Sequence, residues 1–220
     1  MSETVIQILL LAPALVVAIV FHEVAHGLVA RMLGDPTAHE QGRLSFNPIR
    51  HVDPVGTLLV PGFLALVSGP IFGWAKPVPV SGHRLNNPRR DMMLVAAAGP
   101  GMNLLLAAVG AIALGLVTDD FGPMVAQALV YFILINCFLA FFNLLPIPPF
   151  DGSHILEGLL PRRMAVHFFK LRKAGLLFFV ALVVVSWAFP QWGVIETLVG
   201  PPVNWMLGMY EQLARAVSGG

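Results

Sequence analysis

Charge is scarce in this chain: of 220 residues, 13 are Lys or Arg and 12 are Asp or Glu, 11% in all, against 57% hydrophobic. A soluble domain carries roughly a quarter charged residues, so a mean hydropathy of +0.79 excludes an ordinary water-soluble globule. The net charge of +1 gives no electrostatic reason to expect a nucleic acid partner. Cysteine is nearly absent. The single Cys137 excludes an intramolecular disulfide and a zinc site of paired CxxC motifs, so any zinc has to be held by His and carboxylate. Long polar stretches, internal repeats and low-complexity linkers are missing as well, which leaves no room for an inserted soluble domain. At the N-terminus, Met1-Ser2-Glu3-Thr4 carries an acid where a signal peptide is basic, and the apolar stretch behind it is too long for an h-region. The first segment is therefore expected to stay in the membrane.

What the chain does have is long apolar runs. Tested against about 20 residues per crossing, the candidates are Val5 to Ala30, Met92 to Val117, Met124 to Leu145 and the shorter Ala174 to Phe189. Val55 to Ala75 has no charge but contains Pro61, Pro70 and several glycines, which suits a broken or re-entrant segment better than a straight helix. Trp192 to Met209 reads as a last span or an interfacial piece. The fold class expected is an all-α polytopic membrane protein with about four to six transmembrane segments and a short re-entrant or β-containing membrane-associated region. Gly42 to Phe46 and Pro77 to Val80 are its candidate short strands. Residues 1–220 read as one domain, with additional C-terminal membrane segments over 174–213.

The basic residues fall in three groups: Arg31, Arg43 and Arg50; Lys76, Arg84, Arg89 and Arg90; Arg162, Arg163, Lys170, Arg172 and Lys173. The positive-inside rule puts all three in the cytoplasm and the pair Asp119-Asp120 outside. Val55 to Ala75 then has to enter and leave by one face.

Inside the first apolar run stands His22-Glu23-Val24-Ala25-His26. A helix returns to nearly the same face after four residues, so the two imidazoles can share a metal with Glu23 beside them. Ionisable side chains at that depth are costly unless paired or metal-bound, on the order of 3 kcal/mol for an acid at mid-helix. His22 precedes Arg31 by roughly 13 Å of helix, which places the motif below the surface but close to the cytoplasmic end. A catalytic zinc site needs three protein ligands and an open position. Beyond the third span, Pro146-Ile147-Pro148-Pro149-Phe150-Asp151-Gly152 stops a regular helix and carries Asp151 at the same end, which makes it the expected third ligand. Gly99-Pro100-Gly101-Met102-Asn103, early in the second span, allows close backbone approach and offers an uncharged amide.

Taken together, HEVAH in one span, GPGMN in the next full span and Asn143-Leu144-Leu145-Pro146 through Asp151-Gly152 after the third resemble the site-2 protease family of intramembrane zinc metalloproteases. The resemblance covers a catalytic core of about residues 14–160. Gly73 to Val80 resembles the compact bacterial and archaeal branch, which lacks PDZ and CBS domains. Ser153 stands where many relatives have a second glycine.

The resemblance implies one Zn2+ per chain on His22, His26 and Asp151, with Glu23 as the general base that activates water. It implies that Asn103 or Asn143 donates to the substrate or the oxyanion, with Asn143 favoured for its closeness to Asp151. It further implies an endopeptidase acting on transmembrane protein or peptide substrates within the lipid bilayer. For a bacterial chain the resemblance implies regulated intramembrane proteolysis of signalling proteins or clearance of leftover signal peptides, and the location expected is a prokaryotic inner membrane with the site toward the cytoplasm. Two other classes compete: an ion or proton transporter, and a non-catalytic metal-binding membrane scaffold. The first lacks an inverted repeat and a second acidic site toward the outside; the second has no use for Glu23.

Overall fold

The computed structural model describes residues 2–66, 73–117, 122–171 and 174–219. Its helices are α1 (Glu3–Met32), α2 (Thr37–Glu40), α3 (Val60–Leu66), α4 (Pro88–Leu116), α5 (Gly122–Asn143), α6 (Asp151–Leu159), α7 (Arg162–Leu171), α8 (Gly175–Ala188) and α9 (Val194–Ser218). Three of them, α1, α4 and α5, are long and apolar enough to cross a membrane. At 1.5 Å per residue even the 22 residues of α5 span about 33 Å, the thickness of a hydrocarbon core.

Helix α4 is central and packs against α1, α5, α6 and α9. Between membrane helices the lipid is as apolar as the side chains, so close approach of small residues supplies much of the attraction. Here Ala18, Ala107, Ala111, Cys137 and Ala140 are fully buried, while Leu9, Leu105, Val109 and Val130 are exposed. A second layer continues this core toward one end of the bundle, where Leu145 and Phe150 join Val199 and Val203 of α9. Phe150 lies edge-on to Phe142 and Phe179 at 4.6 and 5.7 Å, which ties the start of α6 to α5 and α8.

The C-terminal region joins the short candidate span Ala174 to Phe189 to a further helix. With 14 residues α8 reaches only about 21 Å. Pro190 ends it, and Gly193, at φ 51°, turns the chain so that residues 177–188 and 190–218 meet at 99°. Counted as one bent span, this pair brings the candidate crossings to four.

The expected strands do not form: Arg43–Asn47 and Gly73–Ser81 are extended without a β-ladder, and among the described residues there is no strand. Side chains and single backbone bonds join them instead, as when Arg43 Nη2 donates to Lys76 O at 2.8 Å. Of Val55 to Ala75, residues 67–72 lie outside the described part. The two ends of the segment meet, since Lys76 N donates to His51 O at 2.8 Å and Trp74 N to Gly56 O at 3.1 Å. A chain that returns to its starting point in this way has the geometry of a hairpin rather than of a crossing. The pair Asp119-Asp120 also lies outside the described residues.

A polar clamp closes the loops at this end. Asp35 is fully buried and accepts from Thr37 N at 3.0 Å, from the Thr37 hydroxyl and from Ser81 N at 2.5 Å. Burial alone would raise its pKa, but these donors together with Arg84 hold the carboxyl below its ordinary range. The clamp fixes the extended segment Gly73–Ser81 beside α1.

Candidate metal centre

His22 and His26 lie one turn apart on the buried face of α1, 6% and 8% exposed, with ring centroids 4.6 Å apart. Asp151 is the first residue of α6 and reaches His22 across 129 positions of sequence. The Nε2 atoms of the two histidines are 3.0 Å apart, and Asp151 Oδ2 lies 3.1 Å from that of His22 and 3.4 Å from that of His26.

What the other ring nitrogens do decides the chemistry. His26 Nδ1 donates to Val95 O at 2.7 Å, and His22 Nδ1 donates to Asn103 Oδ1 at 2.6 Å. With both Nδ1 atoms committed as donors, the neutral rings turn their Nε2 lone pairs toward each other and toward a carboxylate. Three electron-rich atoms crowded at these distances repel one another unless a cation lies among them. Imidazole and carboxylate donors held by hydrogen bonds from behind are the set that suits zinc. The residues present therefore fit the metal.

The small residues around the cluster follow from its crowding. A Cβ at Gly99 would collide with both imidazoles, so only glycine lets α4 pass this close to α1. Pro100 next to it lacks the helical N–H that would otherwise bond the carbonyl of residue 96, one position after the Val95 carbonyl that holds His26. Ser153, 1% exposed, donates from its Oγ to Phe150 O at 2.7 Å and so caps the turn that presents Asp151.

Glu23 points to the side of the cluster, where its Oε2 accepts from Val78 N at 2.8 Å. Asn103 is fully buried and its amide is saturated: Oδ1 accepts from His22, while Nδ2 donates to Ala18 O at 3.2 Å and to Asn136 Oδ1 at 2.9 Å. That leaves it no hydrogen for a substrate or an oxyanion. Asn143 sits at the end of α5 and donates to Leu139 O of its own helix at 2.9 Å. The hydrogen bonds behind His22 thus run through Asn103 and not through Asn143.

Sequence reasoning missed Asn136 and Val78. A carboxamide in the middle of an apolar span is itself a signal, since it has to find partners inside the bundle. Val78 acts through its backbone N–H, which leaves no trace in residue type, although the prolines at 77 and 79 make it the one donor in that stretch.

A buried His-Glu-x-x-His pair on a long apolar helix, joined by an aspartate from a distant element, is a group that could hold a metal ion. Comparison with known proteins agrees. Residues 119–186 match Peptidase family M50. Over 177 residues the chain is 41% identical to YwhC of Bacillus subtilis, covering 77% of this chain and 78% of YwhC. It is 28% identical over 174 residues to Rip2 of Mycolicibacterium smegmatis, covering 78% of this chain and 64% of that protein. With Rip2 of Mycobacterium tuberculosis the identity is 30% over 141 residues, covering 64% and 53%. All three relatives carry zinc metalloprotease names. No solved structure matches the chain. The chain belongs to peptidase family M50, the site-2 protease family. It is a zinc metalloprotease of that family, with Zn2+ as its cofactor.

Proposed function

We propose that this protein is an intramembrane endopeptidase that hydrolyses peptide bonds in or near transmembrane segments of other membrane proteins. In this reading His22, His26 and Asp151 hold one zinc ion, and Glu23 is the general base. The observation that carries it is the convergence of two Nε2 atoms and one carboxylate oxygen within 3.4 Å, on helices long enough to cross a bilayer. When bound, zinc supplies a Lewis acid that acidifies water and polarises a peptide carbonyl.

The chain's own groups divide the remaining work. Val95 O and Asn103 Oδ1 hold the two rings in the tautomer that presents Nε2 to the metal. Glu23, one residue from the first histidine, takes a proton from water and later returns it to the leaving amine. Burial of the two rings lowers the local dielectric and strengthens each of these interactions. Because Asn103 has its amide fully engaged, it serves to position His22; Asn143, at the end of α5, spends one Nδ2 hydrogen on Leu139 O and has the other to offer, so it is the donor left for the substrate.

The same arrangement supports a reading of sidedness. The cluster lies toward the C-terminal end of α1, the N-terminal half of α4 and the turn after α5, so one end of the bundle carries the site. Arg31, Arg84, Arg89, Arg90, Arg162 and Arg163 belong to that end, which supports a cytoplasmic placement in a cell's inner membrane. The test is to incubate the purified, detergent-solubilised protein with a panel of single-span substrates, with and without a zinc chelator. Cleavage inside or beside the span that stops on chelation and returns with Zn2+ is expected. Cleavage of soluble peptides alone, with no membrane substrate cut, overturns the intramembrane reading.

A further inference from the structure

Two fully buried carboxamides, Asn103 on α4 and Asn136 on α5, stand in line behind His22. The line has a direction. Asn136 Nδ2 donates to Phe132 O at 2.9 Å, and a backbone carbonyl can only accept. The amide nitrogen of Asn136 therefore faces Phe132, and its Oδ1 faces Asn103. Asn103 answers with Nδ2, 2.9 Å away, and its second Nδ2 hydrogen goes to another carbonyl, Ala18 O, at 3.2 Å. With its nitrogen turned to these two acceptors, Asn103 has only Oδ1 to offer His22, at 2.6 Å. An oxygen at that place requires a proton on Nδ1, and a neutral ring with its proton on Nδ1 has its lone pair on Nε2.

We propose that Asn136 is a positioning residue for the metal centre: through Asn103 it fixes the tautomer and orientation of His22 that present Nε2 to zinc. The inference rests on the proposed ligand set. The three bonds made by Asn103 are buried, so water does not offer an easy substitute there, and a reversed amide would set two oxygens or two N–H groups face to face. Two carbonyls on different helices, Ala18 on α1 and Phe132 on α5, anchor the order, so the packing of α1, α4 and α5 is converted into the protonation pattern of one ring. Losing Asn136 removes one of the two anchors of Asn103 and leaves the other. The effect on the metal is then a weakening and not a loss, at the lower end of the roughly 10- to 100-fold range for partners behind a ligand.

The experiment measures zinc affinity of the purified full-length protein by competition with a chromophoric chelator, alongside 15N imidazole chemical shifts of His22 in the metal-free protein. For Asn136→Leu and Asn136→Ala we expect affinity reduced by about 10-fold and a His22 signal that mixes the two tautomers, where the wild type has Nδ1 protonated. Cys137→Ser changes the neighbouring, equally buried position without touching the line, and is expected to leave both readouts at wild-type values. Wild-type affinity and a single Nδ1-protonated His22 in folded Asn136→Leu or Asn136→Ala overturn the proposal. An equal loss of affinity in Cys137→Ser overturns it too, since the effect is then one of packing. His22→Ala keeps the two readings apart: if it binds zinc like the wild type, the ligand set itself is wrong, whereas its loss of zinc beside an unaffected Asn136→Leu removes only the role of Asn136.

Discussion

The backbone N–H of Val78 donates a 2.8 Å hydrogen bond to Oε2 of Glu23, across 55 positions of sequence. This bond joins the extended segment Gly73–Ser81 to the motif on α1, and the segment is held in turn by Asp35, which accepts from Ser81 N. One carboxylate oxygen is thereby fixed and Oε1 is directed by it. Val78→Pro removes the donor. Turnover is expected to fall by about 10-fold or more, the scale of a hydrogen bond to a charged group, with zinc content unchanged. Val78→Ala keeps the N–H and is expected to keep most of the activity. Steady-state kinetics with metal analysis of both variants checks this; equal loss in the two assigns the effect to the side chain.

Glu23 itself separates chemistry from metal binding. Glu23→Gln can still accept the bond from Val78 N through its amide oxygen, but it cannot take a proton from water. The variant is expected to retain near-equimolar zinc and to lose turnover by about 10² to 10⁴. His22→Ala and Asp151→Ala, by contrast, are expected to lose zinc and activity together. Near-normal cleavage by Glu23→Gln assigns the base to another group.

Which parts of this arrangement the sequence made legible depends on how local their cause is. The spacing of His22 and His26 puts them on one face of any helix, and the structure has their Nε2 atoms 3.0 Å apart. Asp151 could be picked out because Pro146, Pro148 and Pro149 end the helix just before it. The three long spans needed only length and hydropathy. Partners set by tertiary packing were hidden: Asn136 reads as any polar residue in a span until Asn103 is placed beside it, and Val78 contributes no side chain to the bond it makes. The short strands failed because Arg43–Asn47 and Gly73–Ser81 alternate as strands do but find each other only through an arginine and isolated bonds. The break between α8 and α9 was written in Pro190 and Gly193, yet apolar runs on both sides mask it in a hydropathy reading.

Gly99 and Gly101 form a contrasting pair within one motif. A Cβ at position 99 would strike both imidazoles, whereas one at position 101 meets nothing within 4 Å. Gly99→Ala is expected to cost about 1 to 3 kcal/mol of stability through overpacking and to lower zinc occupancy. Gly101→Ala is expected to bind zinc normally and to be neutral or stabilising by up to about 1 kcal/mol, since alanine is the better helix former. Thermal unfolding and metal analysis of the two variants distinguish them. Equal behaviour means that α4 does not approach α1 as closely as the structure has it.

The last prediction concerns which side of the membrane holds the site. Arg43 Nη2 donates to Lys76 O at 2.8 Å, and the ends of the hairpin between them are joined at His51 O and Lys76 N. Two residues this close cannot sit on opposite faces of a bilayer about 30 Å thick. Single cysteines at positions 43, 76 and 163, in a Cys137→Ser background, are therefore expected to react with a membrane-impermeant thiol reagent from the same side. In the orientation proposed from the positive-inside rule that side is the cytosol, so labelling is expected in inverted vesicles and absent in intact cells. Labelling of all three from outside reverses the orientation while keeping the hairpin. Labelling of positions 43 and 76 from opposite sides means that residues 55–75 cross the membrane, and the hairpin geometry fails with it.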